Sequence, residues 1–550
     1  MGVPAPQRFY DSPARVFPLP AILIAAISGA VLIPMLFKGI PSGHDLEFHV
    51  NSWMEVVHQW HSGVIYPSWA SLAHYGFGEA RFVFYPPASW LSGALLGTIL
   101  PWAIVPGVYV WLALTASGCT MFLLARRFLP PGTATFVAAF YAINPYHLVI
   151  VYWRSAYAEL LASLLLPLLL LALLRAEQDE RKVVVPLALI IAAAWLINVP
   201  AAVMLNYSLA VLVLCMAFLR RSPRVLLYGA AGVVLGAALA AFYLVPVAHE
   251  QKWVNISEVL SPGVRPQDNF LFTLSSDPDH NHFNQLVSVV AVGEIALVCI
   301  AVFLSRHWRR KQRLLWWSAI IWAVAATMVM VSFTNIFWEY LPKLRFVQLP
   351  WRWLLCLNVA MALFIGLALR RWSARIVFSI GTLVVLMLIC VRIQPPWWDS
   401  VQDIHEMQDD IAAGRGYDGT DEYVTAGADP YEIKQDAPKI RIQSGRGAVR
   451  ILEWKPESKA FISEMSEPAK LRLKLFDYPA WHVDINGREV TAEADEITGE
   501  MLVPVPAGKN LVRVLFQQPW DRRAGAIVSV TTLGLVLIVS ARFRRRAAAA

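Results

Sequence analysis

Long apolar runs alternate with short polar connectors through most of the 550-residue chain. The runs cover 19–37, 103–125, 133–151, 157–174, 183–198, 200–219, 225–247, 286–305, 314–333, 351–369, 374–392 and 524–541. Each is close to the roughly 20 residues that a helix needs to cross a bilayer. They predict a polytopic α-helical membrane protein of about twelve spans. One more apolar stretch, "ASWLSGALLGTIL" at 88–100, is bracketed by Pro86-Pro87 and Pro101. As a helix it rises only about 20 Å, too little to cross. It reads as an interfacial or re-entrant helix within the first external loop, 38–102.

The pattern changes at 393–523. Apolar runs give way to alternation in "VRILEW" (449–454), "KLRLKLF" (470–476), "WHVDI" (481–485), "MLVPV" (501–505) and "NLVRVLF" (510–516). Period-two alternation marks half-buried strands, and Asn486-Gly487 between two of them marks a two-residue hairpin. A small antiparallel β-sandwich follows, preceded by a short acidic surface helix in "DSVQDIHEMQDDIAAG". The chain thus divides into a membrane domain (1–392), a β-rich domain (393–523), and a last span with a basic tail (524–550).

Charge gives the orientation. The clusters Arg126-Arg127, Arg175 with Arg181-Lys182, Arg220-Arg221-Arg224, Arg306 to Arg313, Arg370-Arg371-Arg375 and Arg542 to Arg546 all fall on one side of the twelve spans. The positive-inside rule makes that side cytoplasmic, and Arg8 and Arg15 place the N-terminus there too. Loops 38–102, 152–156, 198–200, 248–285, 334–350 and 393–523 are then external. Counting 88–100 as a span would reverse every later loop. The first run, Leu19 to Phe37, has too long an apolar core and no convincing cleavage site for a signal peptide, so it reads as a retained span.

Composition agrees with this reading. The chain is 57% hydrophobic and 16% charged, against about 25% charged in soluble proteins. The formal charge of +8 sits in loop clusters, not on a nucleic-acid-binding face. All five cysteines lie in apolar runs, which predicts no structural disulfide, and no CxxC or His/Cys metal spacing occurs. No cofactor is called for, and the need for a divalent ion stays open.

Candidate chemistry gathers in the external loops. In "PSGHDLEFHVNSW", Asp45 and His49 share a helix face at i, i+4, while Glu47 points elsewhere. Ser42-x-x-Asp45 also fits a capping box, in which Asp45 serves only the helix start. "YPSWASLAHYGFGEARFVFYPP" (66–87) packs aromatics, glycines and prolines and contains Tyr85. In "NPYHLVIVYWRSAYAELLASLLLP" (144–167), Arg154 lies in an external turn and Glu159 one turn into the next span, five residues apart and off one another's helical face. An acid within a span normally has a partner or a task. In "LRFVQLPWRW" (344–353), Arg352 sits at the positive end of a helix dipole, where an anion would satisfy it, and Arg345 lies just upstream. Snorkelling to lipid headgroups is the plain alternative for these arginines. "GYDGTDEYV" (416–424) reads as a solvated loop, or as a lid or substrate-contacting loop over the membrane domain. An acid beside anion-binding arginines at a membrane surface suits sugar transfer from a lipid phosphate.

Those stretches, with "LPWRW" and "YPAWHVDINGREV", resemble the bacterial integral membrane proteins called 6-pyruvoyl-tetrahydropterin synthase-related. That family is similar to the GT-C superfamily of polyprenyl-phosphate-sugar glycosyltransferases. The resemblance implies a GT-C-like fold in a bacterial inner membrane and a catalytic aspartate in the first external loop, which maps to Asp45. It implies phosphate contacts at Arg154 and Arg352, and a second loop acid at Glu47. On this reading Arg345 assists, Glu159 orients Arg154, and His49, Tyr85 and Asn198 support or line the cavity. The partners would be a polyprenyl-phosphate-linked donor and an envelope glycan, lipid or protein acceptor. A transporter or flippase is the main rival, although no internal hydropathy repeat is evident. A non-catalytic scaffold displaying the β-domain is another.

Overall fold

The computed structural model describes residues 17–175, 180–393 and 397–549, with 180, 389–393 and 542–549 by backbone alone. Arg8 and Arg15 lie outside the described residues. Among the described residues, eight helices are long and apolar enough to cross a membrane: Pro18–Lys38, Trp102–Ala125, Pro131–Arg154, Tyr157–Arg175, Val199–Arg220, Pro278–Arg309, Pro350–Ala368 and Trp520–Ala541. The number becomes ten if two bent pairs each count as one span. Of the other expected runs, one forms the shorter helix Val184–Ile197 and another the 22-residue helix Trp372–Ile393. Many outward side chains, such as Phe218, Leu227, Val289, Phe303 and Leu537, are apolar and exposed, as a lipid-facing surface requires.

Two of the expected runs form bent pairs, and at each bend a side-chain hydroxyl bonds to the backbone around the break. The run at 225–247 breaks at Ala240 and bends by 76°. There Ser529, from the last span, accepts from Phe242 N at 2.9 Å and donates to Ala238 O at 3.3 Å. One hydroxyl thus serves backbone groups on both sides of the break. The run at 314–333 bends by 92° after Met328. Here the Thr334 hydroxyl, within 2.8 and 3.2 Å of Val331 O and Met328 O, adds a side-chain bond to carbonyls that also accept from Thr334 N and Val331 N.

The stretch at 88–100 forms the helix Pro87–Gly97, only 11 residues long. It packs on the first-loop helix Leu46–His61. A Cβ on Gly93 would fall 2.1 Å from the Trp53 ring, so only glycine permits that approach. Loop 38–102 is therefore a folded layer above the bundle, not a tether.

The β-rich domain comprises two antiparallel sheets around a shared core that includes Phe461, Leu471, Leu473, Val483, Val503 and Val512. The five-stranded sheet runs Gly447–Lys455, Ser458–Met465, Gly508–Phe516, Trp481–Ile485, Arg488–Val490. The four-stranded sheet runs Ile440–Ser444, Ala469–Phe476, Glu500–Val505, Glu493–Ala494. Asn486 and Gly487, with φ of 55° and 83°, form the hairpin turn that the sequence indicated. The acidic segment is the helix Val401–Ala412, capped by Ser400 and Asp403. The domain rests on the first loop: Trp69 packs against Tyr478, Trp481 and Phe516, and Phe476 N donates to Phe77 O at 3.1 Å. The last span is held to it through Glu250, which takes both Arg522 Nε and Nη2 at 2.8 Å and the Tyr478 hydroxyl.

Candidate active site

The helix Pro131–Arg154 ends in a π-helical turn, Ile150–Arg154, and Ser155 takes a left-handed conformation at φ 50°. The chain then starts a new helix at Tyr157. This break turns Arg154 back over the following segment, so its Nη1 meets Glu159 Oε2 at 2.5 Å. Five residues apart, the two would miss each other on a continuous helix; the break removes that constraint. Arg352 arrives from the turn Pro350–Trp353 that opens the helix Leu354–Ala368. Its Nε reaches the same Glu159 oxygen at 3.0 Å. Tyr146 donates its hydroxyl to Glu159 Oε1 at 2.6 Å.

One carboxylate therefore sits between two guanidiniums, a trio with a net charge of +1. Arg154 and Glu159 are 2% exposed and Arg352 is 8% exposed. Arg352 Nη1 donates to Val347 O and Gln348 Oε1, at 2.7 and 3.0 Å. Arg154 lies 4.9 Å from the Trp351 ring centroid, and its Nε has no protein partner. An unsatisfied guanidinium N–H in a buried, cationic cluster is suited to an incoming anion.

The first loop is laid directly on this break. Asp45 N donates to Arg154 O at 2.9 Å, Gly43 N to Ser155 Oγ at 3.2 Å, and Ser155 Oγ to Pro41 O at 2.8 Å. A Cβ at Gly43 would fall 2.6 Å from the Arg154 carbonyl carbon, so this contact requires glycine. Asp45 is the N-cap residue of Leu46–His61, yet its side chain makes no capping bond. The capping box expected from Ser42 is absent because the helix starts at Leu46, leaving Ser42 outside it. The Asp45 carboxylate is half-buried and free for other work.

His49 is buried one turn beyond Asp45, with its ring 5.3 Å from that of Tyr157 and its Nε2 without a partner. Burial lowers its imidazole to about 4, against an opposing pull from Asp45. Tyr85 lies edge-on to Phe48 and His49, and burial, then the Asp45 charge, raises its phenol well above the ordinary range. Glu47 is exposed in the first helical turn, as its spacing indicated. Two expected site residues lie elsewhere. Arg345 is exposed and lies over the Phe346 ring, and it makes no bond to the cluster among the described residues. Asn198 caps Val199–Arg220, its Oδ1 accepting from Ala201 N at 2.9 Å, so its side chain is occupied as a helix cap.

The sequence reading missed a second buried polar network that fixes the first loop. Glu55 Oε1 accepts from Gln59, Ser71 and Leu72 N at 2.9–3.1 Å, and its Oε2 accepts from the Tyr417 hydroxyl. Glu79 takes Arg81 Nε at 2.5 Å, His74 Nε2 at 3.0 Å and Thr420 N at 2.8 Å. Burial would raise the Glu79 carboxyl, but Arg81 and His74 overcome it and hold it at about 2. "GYDGTDEYV" is therefore neither a simple solvated loop nor a free lid. Tyr417 and Thr420 clamp it onto the first loop. The signal lay in the isolated acids among aromatics in 55–81, whose burial demanded partners.

A multi-span helical membrane protein, with an arginine–glutamate–arginine cluster beneath a folded loop, is the class that fold and site define. Residues 82–398 match the family described as 6-pyruvoyl-tetrahydropterin synthase related domain, membrane protein, and the chain belongs to that family. Among solved structures, it is similar to the arabinofuranosyltransferase AftD from Mycobacteria, at 17% identity and a TM-score of 0.45, over 68% of this chain and 27% of that one. The chain thus spans about a quarter of AftD's length. It is also similar to ArnT from Cupriavidus metallidurans bound to undecaprenyl phosphate, at 13% identity and a TM-score of 0.44, over 72% and 76% of the two chains. A third likeness is to the Archaeoglobus fulgidus oligosaccharyltransferase, at 14% identity and a TM-score of 0.37, over 73% and 56%. A search of curated proteins gives no match.

Proposed function

We propose that the chain is a GT-C-type membrane glycosyltransferase of the bacterial inner membrane. It moves a sugar from a polyprenyl-phosphate donor to an extracytoplasmic envelope acceptor, with inversion. The observation that carries this reading is the hydrogen bond from Asp45 N to Arg154 O, which ties the half-buried Asp45 to the buried Arg154–Glu159–Arg352 cluster.

The roles divide by charge. Arg154 and Arg352 hold the donor phosphate, and Glu159 with Tyr146 orients them. Asp45 accepts the proton of the acceptor hydroxyl as its oxygen bonds to the anomeric carbon. The bond from that carbon to the phosphate oxygen breaks in the same displacement, which inverts the centre. The leaving phosphate gains negative charge against the two guanidiniums, where charge-assisted contacts strengthen as the charge develops. A donor whose sugar is carried on a polyprenyl phosphate, the lipid class bound in the ArnT structure as undecaprenyl phosphate, has the anionic head and lipid tail that a cluster at the end of membrane helices can take.

The test begins with mass spectrometry of envelope glycolipids and glycoproteins from cells with and without the gene, which identifies the product lost. Transfer is then measured for Asp45→Asn in nanodiscs. Asn keeps the shape and removes the proton acceptor, so transfer should fall about 10²-fold or more with normal insertion. Wild-type transfer by Asp45→Asn overturns the assignment of the base. An unchanged envelope on deletion favours the transporter or scaffold reading.

A further inference from the structure

A cleft of about 410 Å³ lies on the external side of the cluster, between the loop at 258–264 and the strap that follows Tyr417. Its walls include Tyr75, Tyr431, Asp418, Asp421 and Glu422. Among the described residues no lysine, arginine or histidine lines it. Gln348 forms part of the wall and connects it to the arginine cluster: its Oε1 accepts from Arg352 Nη1 at 3.0 Å, and its Nε2 donates to Val259 O at 2.7 Å. At the opposite side, the Tyr75 phenol feels both the Asp418 charge and that of Glu47, two residues from Asp45. The cleft thus adjoins the arginine cluster through Gln348 and, through Tyr75, the first loop, which also carries Asp45.

Its chemistry is the opposite of the cluster's. The arginines attract an anion, whereas four acidic side chains without a counter-cation on the wall, Glu258, Asp418, Asp421 and Glu422, repel one. Carboxylate oxygens are acceptors only, so they match a ligand rich in hydroxyl donors. Tyrosine rings supply apolar faces with a polar tip. Gln348 and Gln435 add amides that both donate and accept. The strap is held before any ligand arrives: Thr420 N is bonded to Glu79 at 2.8 Å, and the Tyr431 hydroxyl donates to Asp421 at 2.9 Å. Such preorganisation lowers the ordering cost of binding.

We propose that this cleft binds the acceptor, and that the acceptor segment seated there is a neutral, polyhydroxylated glycan. The inference rests on the transferase reading for the word acceptor, but the cleft's preference for neutral sugar stands on its own lining. Segregated charge would keep the anionic donor head on the arginines and present the glycan hydroxyl from the other side, next to Asp45.

The test uses the full chain in nanodiscs and a panel of linear oligosaccharides of neutral hexoses and pentoses, with hyaluronan hexasaccharide as the anionic member and calcium ion as a separate probe. Wild type should bind at least one neutral oligosaccharide and not hyaluronan. Tyr431→Ala and Asp421→Asn, both at the exposed rim, should each weaken that binding about tenfold or more, ~1.4 kcal/mol. The proposal falls if no neutral oligosaccharide binds, if hyaluronan binds as well as the neutral ones, or if both variants bind like wild type. It falls equally if the cleft takes calcium and no sugar. Undecaprenyl phosphate binding is measured in parallel on wild type and Arg352→Ala. Loss of glycan binding with intact lipid binding overturns the cleft alone. Glycan binding that depends on Tyr431, with no lipid binding by wild type, overturns the transferase reading and leaves the cleft a carbohydrate site.

Discussion

Replacing Glu159 by Gln removes one negative charge from between two guanidiniums and keeps the side chain's size. In the wild-type protein, Glu159 Oε2 takes Arg154 Nη1 at 2.5 Å and Arg352 Nε at 3.0 Å, and Oε1 takes the Tyr146 hydroxyl at 2.6 Å. All three charged groups are buried, so neither arginine can turn to water. Removing one partner of a buried ion pair costs about 3–5 kcal/mol. The Gln amide still accepts from an arginine through its oxygen, and its N–H can donate to the Tyr146 oxygen. The lower end, about 3 kcal/mol, is therefore the expected loss. A lipid phosphate bound at the arginines would restore the missing negative charge. The assay is the thermal unfolding midpoint in nanodiscs, with and without undecaprenyl phosphate. Glu159→Gln should unfold at a lower temperature than wild type, and the lipid should raise its midpoint by more than it raises the wild-type midpoint. Lipid at about 100 times its Kd can return about 2.7 kcal/mol. A variant within about 0.5 kcal/mol of wild type, the range of surface substitutions, refutes the claim that this carboxylate carries the two arginines. Equal lipid shifts in both proteins refute the claim that the phosphate meets them.

Three further measurements address other parts of the chain. Lys459 is buried in the β-domain, 4.2 Å from the Trp481 ring centroid, and burial lowers its ammonium to about 7. The unfolded chain keeps that proton to about pH 10.4, so between those values the unfolded state binds more protons and stability rises with pH. Lys459→Met should flatten that rise between pH 7 and 10, and an unchanged pH profile of the unfolding midpoint would count against it. Tyr417→Phe removes a bond to buried Glu55 and should cost about 1–3 kcal/mol. Hydrogen exchange should then speed up over 416–424, and unchanged protection there would mean the strap is held by other contacts. Cysteines placed at Ser276 and Ser444 should react with membrane-impermeant thiol reagents from outside, while one at Lys311 should not; the reverse pattern inverts the orientation drawn from the basic clusters.

How much of this was legible depends on how far the cause of each feature lies along the chain. Spans and strands follow local periodicity, and most were readable. The strand Ser458–Met465 escaped because two of its inward positions are Lys459 and Ser463, so burial does not follow polarity there. The bend at Ala240 escaped because its cause, Ser529, belongs to another span. Within the site, residue types and the Arg154–Glu159 pair were legible, while the bonds from Arg352 and Tyr146 to the same carboxylate were not. Arg154 and Glu159 stand out as charges beside or inside apolar runs, yet their pairing depends on the left-handed Ser155, which carries no glycine or proline signal. The helix start at Pro350 singled out Arg352, but nothing local showed that Arg345 is exposed while Arg352 is buried.

The same distinction explains the first loop. Each buried charge in an apolar setting must be matched, or folding pays a desolvation cost of several kcal/mol. Glu79 is matched locally by Arg81 and His74, but Glu55 and Glu79 also take hydrogen bonds from Tyr417 and Thr420, more than 300 positions away, which couples the strap to the first loop. The first loop also carries Asp45 and seats it on the Arg154 turn through Gly43 and Ser155. A change in the strap can therefore reach the proposed base without touching it. The segment that leads into the β-rich domain is thus part of what sets the geometry of the candidate site.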